Sequence, residues 1–215
     1  MKSIYSMSAA GEGPVQTNEL AARLGVTAAS VSAMIKRLAG TGLVEHEPYR
    51  GVRLTPAGER LALHVVRRHR LLELFLSEVL HIPWDRVHQE AEILEHAISD
   101  YLIDAIDETL GRPEVDPHGD PIPTRDLVLA ADDGSIPLTD LEVGRAARIT
   151  QVSDLEPEML LHLTSAGIAL NDRVELRERE PFGGSLTISV AGVDRRLPHR
   201  VADGIRVMPL DGAAA

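Results

Sequence analysis

The chain has 215 residues, a net charge of −11 at neutral pH, 44% apolar residues and no cysteine. That length supports two or three small domains with real cores, while the missing thiols exclude disulfides, thiolate metal sites and cysteine nucleophiles and leave His, Asp and Glu as the strong metal ligands. With no run of 18 or more apolar residues and no signal-like N-terminus, a cytoplasmic protein with no membrane partner is expected.

Charge is spread unevenly. Residues 1 to 75 hold ten Lys and Arg against six Glu, a net +4, so the remaining 140 residues carry −15 of the total −11. A basic segment in an acidic chain is a candidate nucleic-acid surface, because Lys and Arg replace the counterions of the phosphate backbone. Within it, Thr17 to Val26 reads as a short helix capped by Thr17 and closed by Gly25, with Leu20, Ala21 and Leu24 inward. Thr27 is the expected N-cap of a second helix, Ala28 to Ala39, which buries Val31, Ile35 and Leu38 and leaves Ser30, Ser32, Ala33, Lys36 and Arg37 outside. Two short helices about a glycine-containing turn form a helix-turn-helix, whose second helix enters the major groove. Glu45 to Tyr49 and Val52 to Thr55, joined at Arg50-Gly51, add a β-hairpin wing. Thr27, Ser30, Ser32, Ala33, Lys36, Arg37 and Arg50 are therefore the expected DNA-contacting residues.

From Arg60 to Leu80 and from Asp85 to Leu110 apolar residues recur at helical spacing, predicting two long helices of the kind that dimerise behind a DNA-binding head. Homodimers of this kind read pseudo-palindromic operators in double-stranded DNA. The same helices carry His69, Glu73 and the run His88-Gln-Glu-Ala-Glu-Ile-Leu-Glu-His96. At about 100° per residue, 69 and 73 share one face and 88, 92, 95 and 96 share another. Imidazoles and carboxylates in register suit divalent manganese, iron, cobalt or zinc. His88 and His96 lie roughly 12 Å apart along a helix axis, too far to share one ion, so two sites are expected. Glu92, Glu95 and His96 would converge on one, and His69, Glu73 and His88 on the other.

Gly111 to Arg125 is rich in Pro, Asp and Gly and reads as a loop in which His118 has a structural role. Residues 136 to 210 alternate five short strands with turns (Ala146 to Val152, Arg173 to Glu178, Leu186 to Val190, Val193 to Leu197 and Ile205 to Met208) and one helix near Glu156 to Ala166, suggesting a small barrel. The fold class expected is mainly α with a smaller β part. Its pieces are a winged helix-turn-helix over 1–60, a helical metal-binding and dimerisation domain over 61–126, a linker over 127–135 and an SH3-like β-barrel over 136–215.

The winged helix, Arg68-His-Arg-Leu-Leu-Glu73, Val87 to His96 and Asp116-Pro-His-Gly-Asp-Pro-Ile-Pro123 together resemble the diphtheria toxin repressor family of metal-dependent transcriptional regulators. Leu138 to Gly144, Leu163 to Ile168 and Ala202 to Val207 resemble the FeoA-type domain that closes its longer members. The resemblance implies a primary, activating site of Glu92, Glu95 and His96, and an ancillary site of His69, Glu73 and His88, to which Glu156 matches a further ligand by position. Glu92 stands where iron-sensing members place a cysteine, which is similar to the manganese-sensing branch and agrees with the preference of manganese for oxygen. Another primary-site ligand of the family would fall ahead of Met1-Lys-Ser-Ile-Tyr5, so the resemblance implies a longer natural chain or a primary site one ligand short. The expected function is a manganese-activated repressor of metal-homeostasis genes, with Fe2+ the alternative cofactor, other divalent metals able to substitute in the test tube, and no small-molecule substrate. A winged-helix regulator of an organic ligand would have no reason to align six metal-ligating residues, and a metallohydrolase would need a general base at a substrate cleft, for which no motif is visible.

Overall fold

The computed structural model describes residues 1–9, 13–47, 50–131 and 133–210. The chain forms two compact units, Met1–Arg68 with Pro123–Val128, and His69–Ile122 with Leu129–Ala215.

The first unit is the winged helix-turn-helix. Helices α1 (Lys2–Ala9), α2 (Thr17–Leu24) and α3 (Ala28–Gly40) precede a hairpin of β1 (Val44–Glu47) and β2 (Gly51–Leu54). Ile4, Leu20, Ala21, Val31, Ile35, Val44 and Val52 share one buried core. Gly25 closes α2 in the left-handed conformation, donating to Ala21 and Ala22, as a C-terminal glycine does when it adopts the positive φ that a Cβ disfavours. Thr27 caps α3 through a bond from the Ser30 amide. The expected cap at Thr17 is displaced by one residue: Gln16 holds the capping position, and its side chain bonds the carbonyl of Arg50 at 3.2 Å in place of the helix end. The wing register pairs Val44 with Leu54 and Glu47 with Gly51. Pro48 and Tyr49, at the outer end of the first predicted wing strand, lie outside the described residues.

Helix α4 (Pro56–Glu78) starts in the first unit and ends in the second. The second unit continues with α5 (Trp84–Leu94) and α6 (Asp100–Thr109). A single helix from Asp85 to Leu110 was expected; instead the chain breaks at Glu95–Ser99. The physical cause is Ser99, whose extended backbone and hydroxyl, accepting from the Leu102 amide at 3.3 Å, start a new helix. Leu71, Leu72, Leu76, Val87, Ala91, Ile103, Ile106 and Ile122 form the core of this helical part.

The barrel is a six-stranded antiparallel sheet in the order β3-β8-β4-β5-β6-β7. Its strands are β3 (Ile136–Pro137), β4 (Ala146–Val152), β5 (Arg173–Arg179), β6 (Leu186–Val190), β7 (Val193–Leu197) and β8 (Ile205–Pro209), with α7 (Pro157–Ala166) after β4 and the short α8 (His199–Asp203) before β8. The five expected strands are present, and the two-residue β3 is the sixth. Leu138, Ile149, Leu160, Leu163, Leu176, Ile188 and Leu197 fill its interior. The described residues include no helix long and apolar enough to cross a membrane.

One close approach sets the head of α4. A Cβ on Gly58 would lie 1.9 Å from the Leu43 carbonyl oxygen, so only glycine lets this helix start against the turn between α3 and β1. Gly58→Ala should destabilise the DNA-binding head by about 1–3 kcal/mol, read as a lower midpoint of thermal unfolding followed by circular dichroism.

Candidate metal centre and DNA-binding surface

Helix α4 places His69 and Glu73 one turn apart and buries both, at 4% and 0% exposure. His69 is held at both nitrogens. Nδ1 lies 2.6 Å from Glu95 Oε2 and 3.9 Å from Glu92 Oε2, and Nε2 lies 2.9 Å from Glu73 Oε1. His88, on α5, meets His69 edge to face at 4.7 Å; its Nδ1 is 3.1 Å from Glu73 Oε1 and 2.8 Å from Asp154 Oδ2. Asp154 comes from the segment that leaves β4.

The loop after α6 brings a further set of donors to Glu73. Asp116 Oδ1 accepts from the amides of His118 and Asp120 at 2.8 and 3.0 Å, an Asx-type turn. Arg70 clamps the same loop, donating to the Pro121 carbonyl and to Asp120 Oδ1, both at 2.6 Å. Gly119 lies against β4 so closely, with φ +89°, that a Cβ would meet the Thr150 carbonyl oxygen at 2.0 Å. The Val152 amide then donates to the His118 carbonyl at 2.8 Å. These contacts leave His118 fully buried.

Three overlapping donor groups result, each with its ligand atoms within 4.8 Å of one another: His69, Glu92 and Glu95; His69, Glu73, His88 and Asp154; and Glu73, Asp116 and His118. Their electrostatics are strained. Burial alone would raise the Glu73 carboxyl, but hydrogen bonds from His69 and His88 outweigh it and hold the group well below the usual carboxylate range. His88 is pushed up to about 10, first by its bond to Asp154 and then by Glu73. Asp116 is driven well above the ordinary value by burial, reinforced by the nearby Asp120 and Glu73.

The residues present fit a divalent cation. Glu73 Oε2 and His118 Nδ1 are buried without a hydrogen-bond partner. An orphaned buried acceptor costs about 1–3 kcal/mol, and two acceptors cannot satisfy each other. A cation satisfies both. Oxygen and imidazole ligands without sulfur suit manganese or ferrous iron.

The structure brings together His69, Glu73 and His88, as the spacing predicts, and Glu92 with Glu95, but it redraws the partition. His69 faces both groups. His96 is 72% exposed, with Nε2 3.6 Å from Glu95 Oε1, because α5 ends at Leu94 and the chain turns there. Glu156 stands apart from the donors: it bonds Arg200 and is about half exposed. Asp154, two residues earlier, lies among the donors with His69, Glu73 and His88. Asp154 and Asp116 had no helical periodicity to reveal them. His118 serves structure through Nε2, bonded to the Trp84 carbonyl at 2.9 Å, and is also grouped with Glu73 and Asp116, its Nδ1 without a hydrogen-bond partner.

In the first unit, Thr27, Ser30, Ala33, Lys36 and Arg37 are exposed along one side of α3, and Ser32 is half-buried. The Thr27 and Ser30 hydroxyls bond each other at 2.9 Å. Arg50, at the wing turn, pairs with Glu47 at 3.1 Å while both side chains stay exposed.

Three family models match the chain: the N-terminal DNA-binding domain of iron-dependent repressors over residues 1–52, their metal-binding and dimerisation domain over 55–124, and the FeoA domain over 136–209. The iron-dependent repressor IdeR of Mycobacterium tuberculosis is 31% identical over 219 residues, covering 96% of this chain and 94% of the relative. The diphtheria toxin repressor of Corynebacterium diphtheriae is 30% identical, covering 98% and 95%. Among solved structures, a manganese-dependent transcriptional repressor in complex with manganese is 40% identical, with a TM-score of 0.91 over 97% of each chain. A head that reads DNA, a buried ligand cage and a FeoA barrel in this order place the chain in the diphtheria toxin repressor family of metal-dependent transcriptional repressors, to which it belongs.

Proposed function

We propose that this repressor is activated by manganese and controls metal-uptake genes in the cytoplasm, binding a pseudo-palindromic operator as a homodimer. The observation that carries the reading is Glu73, a fully buried carboxylate with one oxygen held by imidazole and the other without a partner. Oxygen ligation at Glu92 supports manganese over later metals, as does the 40% identity to a repressor solved with manganese. Iron remains the second reading, because the 31% identical relative is iron-dependent.

The primary group is assigned to Glu92, Glu95 and His96, with His69 Nδ1 turned toward it. The ancillary group is assigned to Glu73, His88 and Asp154, with Asp116 and His118. A bound divalent cation supplies the positive charge that these carboxylates lack. The side chains do the rest: from α4, His69 faces Glu92 and Glu95 at the end of α5 and Glu73 faces His88, so the order of the cage bears on α4. That helix runs unbroken from Pro56, beside the wing. Thr27, Ser30, Ser32, Ala33, Lys36 and Arg37 then present to bases and phosphates, and Arg50 to the backbone or minor groove. The proposed domain limits are those expected from the sequence, 1–60, 61–126 and 136–215.

The dimer is assigned to the α5–α6 face, where Ile93, Tyr101 and Leu102 are 68%, 85% and 49% exposed. Large apolar side chains on neighbouring helices mark an interaction surface.

Glu95→Ala should retain helical circular dichroism and lose manganese-dependent operator binding by on the order of 100-fold. Affinity equal to wild type in gel shifts with manganese, ferrous iron and zinc would overturn the mechanism. Leu102→Glu should shift the protein from dimer to monomer in sedimentation; an unchanged dimer moves the interface elsewhere. Because His88 is raised to about 10, a cation at its group displaces a proton at neutral pH. Affinity there should rise by up to about tenfold per pH unit as pH climbs toward that value. Calorimetry in buffers of different ionisation heat counts the proton released.

A further inference from the structure

Trp84 is the chain's single tryptophan, it opens α5 four residues ahead of His88, and the regulatory reading gives it no role. Its contacts are specific. The backbone carbonyl accepts from His118 Nε2 at 2.9 Å, the indole stacks on the His118 ring at 6.1 Å and 18°, and indole Nε1 donates to Thr164 Oγ1 on α7 at 2.8 Å. Partly buried, it also packs against the barrel core.

These contacts fix the chemistry of His118. A carbonyl can only accept, so His118 Nε2 carries the hydrogen; a neutral imidazole has one N–H and one lone pair, so the lone pair sits on Nδ1. Nδ1 is buried and without a hydrogen-bond partner, and His118 is grouped with Glu73 and Asp116. Ligating imidazoles depend on such a bond at the remote nitrogen, which sets tautomer and ring orientation, and losing it costs 10–100-fold in metal affinity.

We propose that Trp84 is the positioning residue of the ancillary metal group: it presents the His118 lone pair to Glu73 and Asp116, and its bond to Thr164 ties that arrangement to the FeoA barrel. This rests on the metal-sensing reading. A purely structural tryptophan would affect folding without distinguishing the two groups. Trp84 distinguishes them, since its contacts reach His118 and not Glu92 or Glu95.

The test uses the full chain and Mn2+ alone, with binding followed by electron paramagnetic resonance of free Mn2+ and by tryptophan fluorescence. Wild type should take up two ions per protomer, with emission changing as the ancillary group fills; in His118→Ala that change should vanish while the other ion still binds. Trp84→Ala keeps the backbone carbonyl but loses the ring against His118 and the bond to Thr164; it should weaken one ion more than threefold and leave the other unchanged, and Trp84→Phe, which restores a ring at that place, should recover most of the loss. Equal affinities in wild type and Trp84→Ala, or emission that still responds in His118→Ala, overturn the positioning role while leaving metal sensing intact. No uptake of Mn2+ by wild type overturns the metal reading and this inference with it. Should Trp84→Ala fail to fold, Thr164→Val decides in its place: it removes the acceptor of the indole N–H with Trp84 present and should weaken the same ion while leaving the other within threefold, and equal affinities overturn the positioning role.

Discussion

A carboxylate buried to 0% exposure is the constraint around which the second unit is built. Ionised Glu73 in a dry interior would be prohibitively unstable alone, and the fold answers by bringing imidazoles to it from His69 and His88. The compensation is deliberately incomplete. One carboxylate oxygen stays without a partner, as does the His118 nitrogen grouped with it. Buried polar groups are almost always satisfied, so orphaned acceptors on two residues of one donor group are a deficit that a cation would remove.

The same deficit explains why so many elements meet there. Helix α4 gives His69 and Glu73, α5 gives His88 and Glu92, the turn after α5 gives Glu95, the loop after α6 gives Asp116 and His118, and the strand exit of β4 gives Asp154. Arg70 answers the negative charge of that loop by pairing with Asp120 while lying 3.7 Å from Asp116. Gly119 permits the loop to lie against β4. A cage assembled from separate segments is only as ordered as the contacts among them, which makes it suited to sensing: filling it would add bonds between elements already joined by pairs such as His69–Glu95 and His88–Asp154.

Reading of DNA is arranged more simply. The head has its own core and its own caps, Thr27 above all, and its exposed residues on α3 form a continuous small-residue and basic stripe. At the wing Arg50 pairs with Glu47 at 3.1 Å, both side chains exposed. Membership of a metal-dependent repressor family links the head and the cage functionally, and α4 is the covalent element common to both.

Local physics made the head and the helical pair of ligands legible from sequence: capping at Thr27, the left-handed Gly25, the period of buried Val31 and Ile35, and the four-residue spacing of His69 and Glu73 are properties of short segments. The strands of the barrel were readable for the same reason, because their alternation is local. The break at Ser99 was written there too, as a capping serine followed by an aspartate, but helical periodicity on both sides masked it. What the tertiary structure alone decided is which distant residues share a cavity. Asp154 beside His88, Asp116 and His118 beside Glu73, and His69 facing two groups at once depend on how loops fold back onto helices. No periodicity within a segment encodes such long-range convergence, since it is set by the packing of one element upon another.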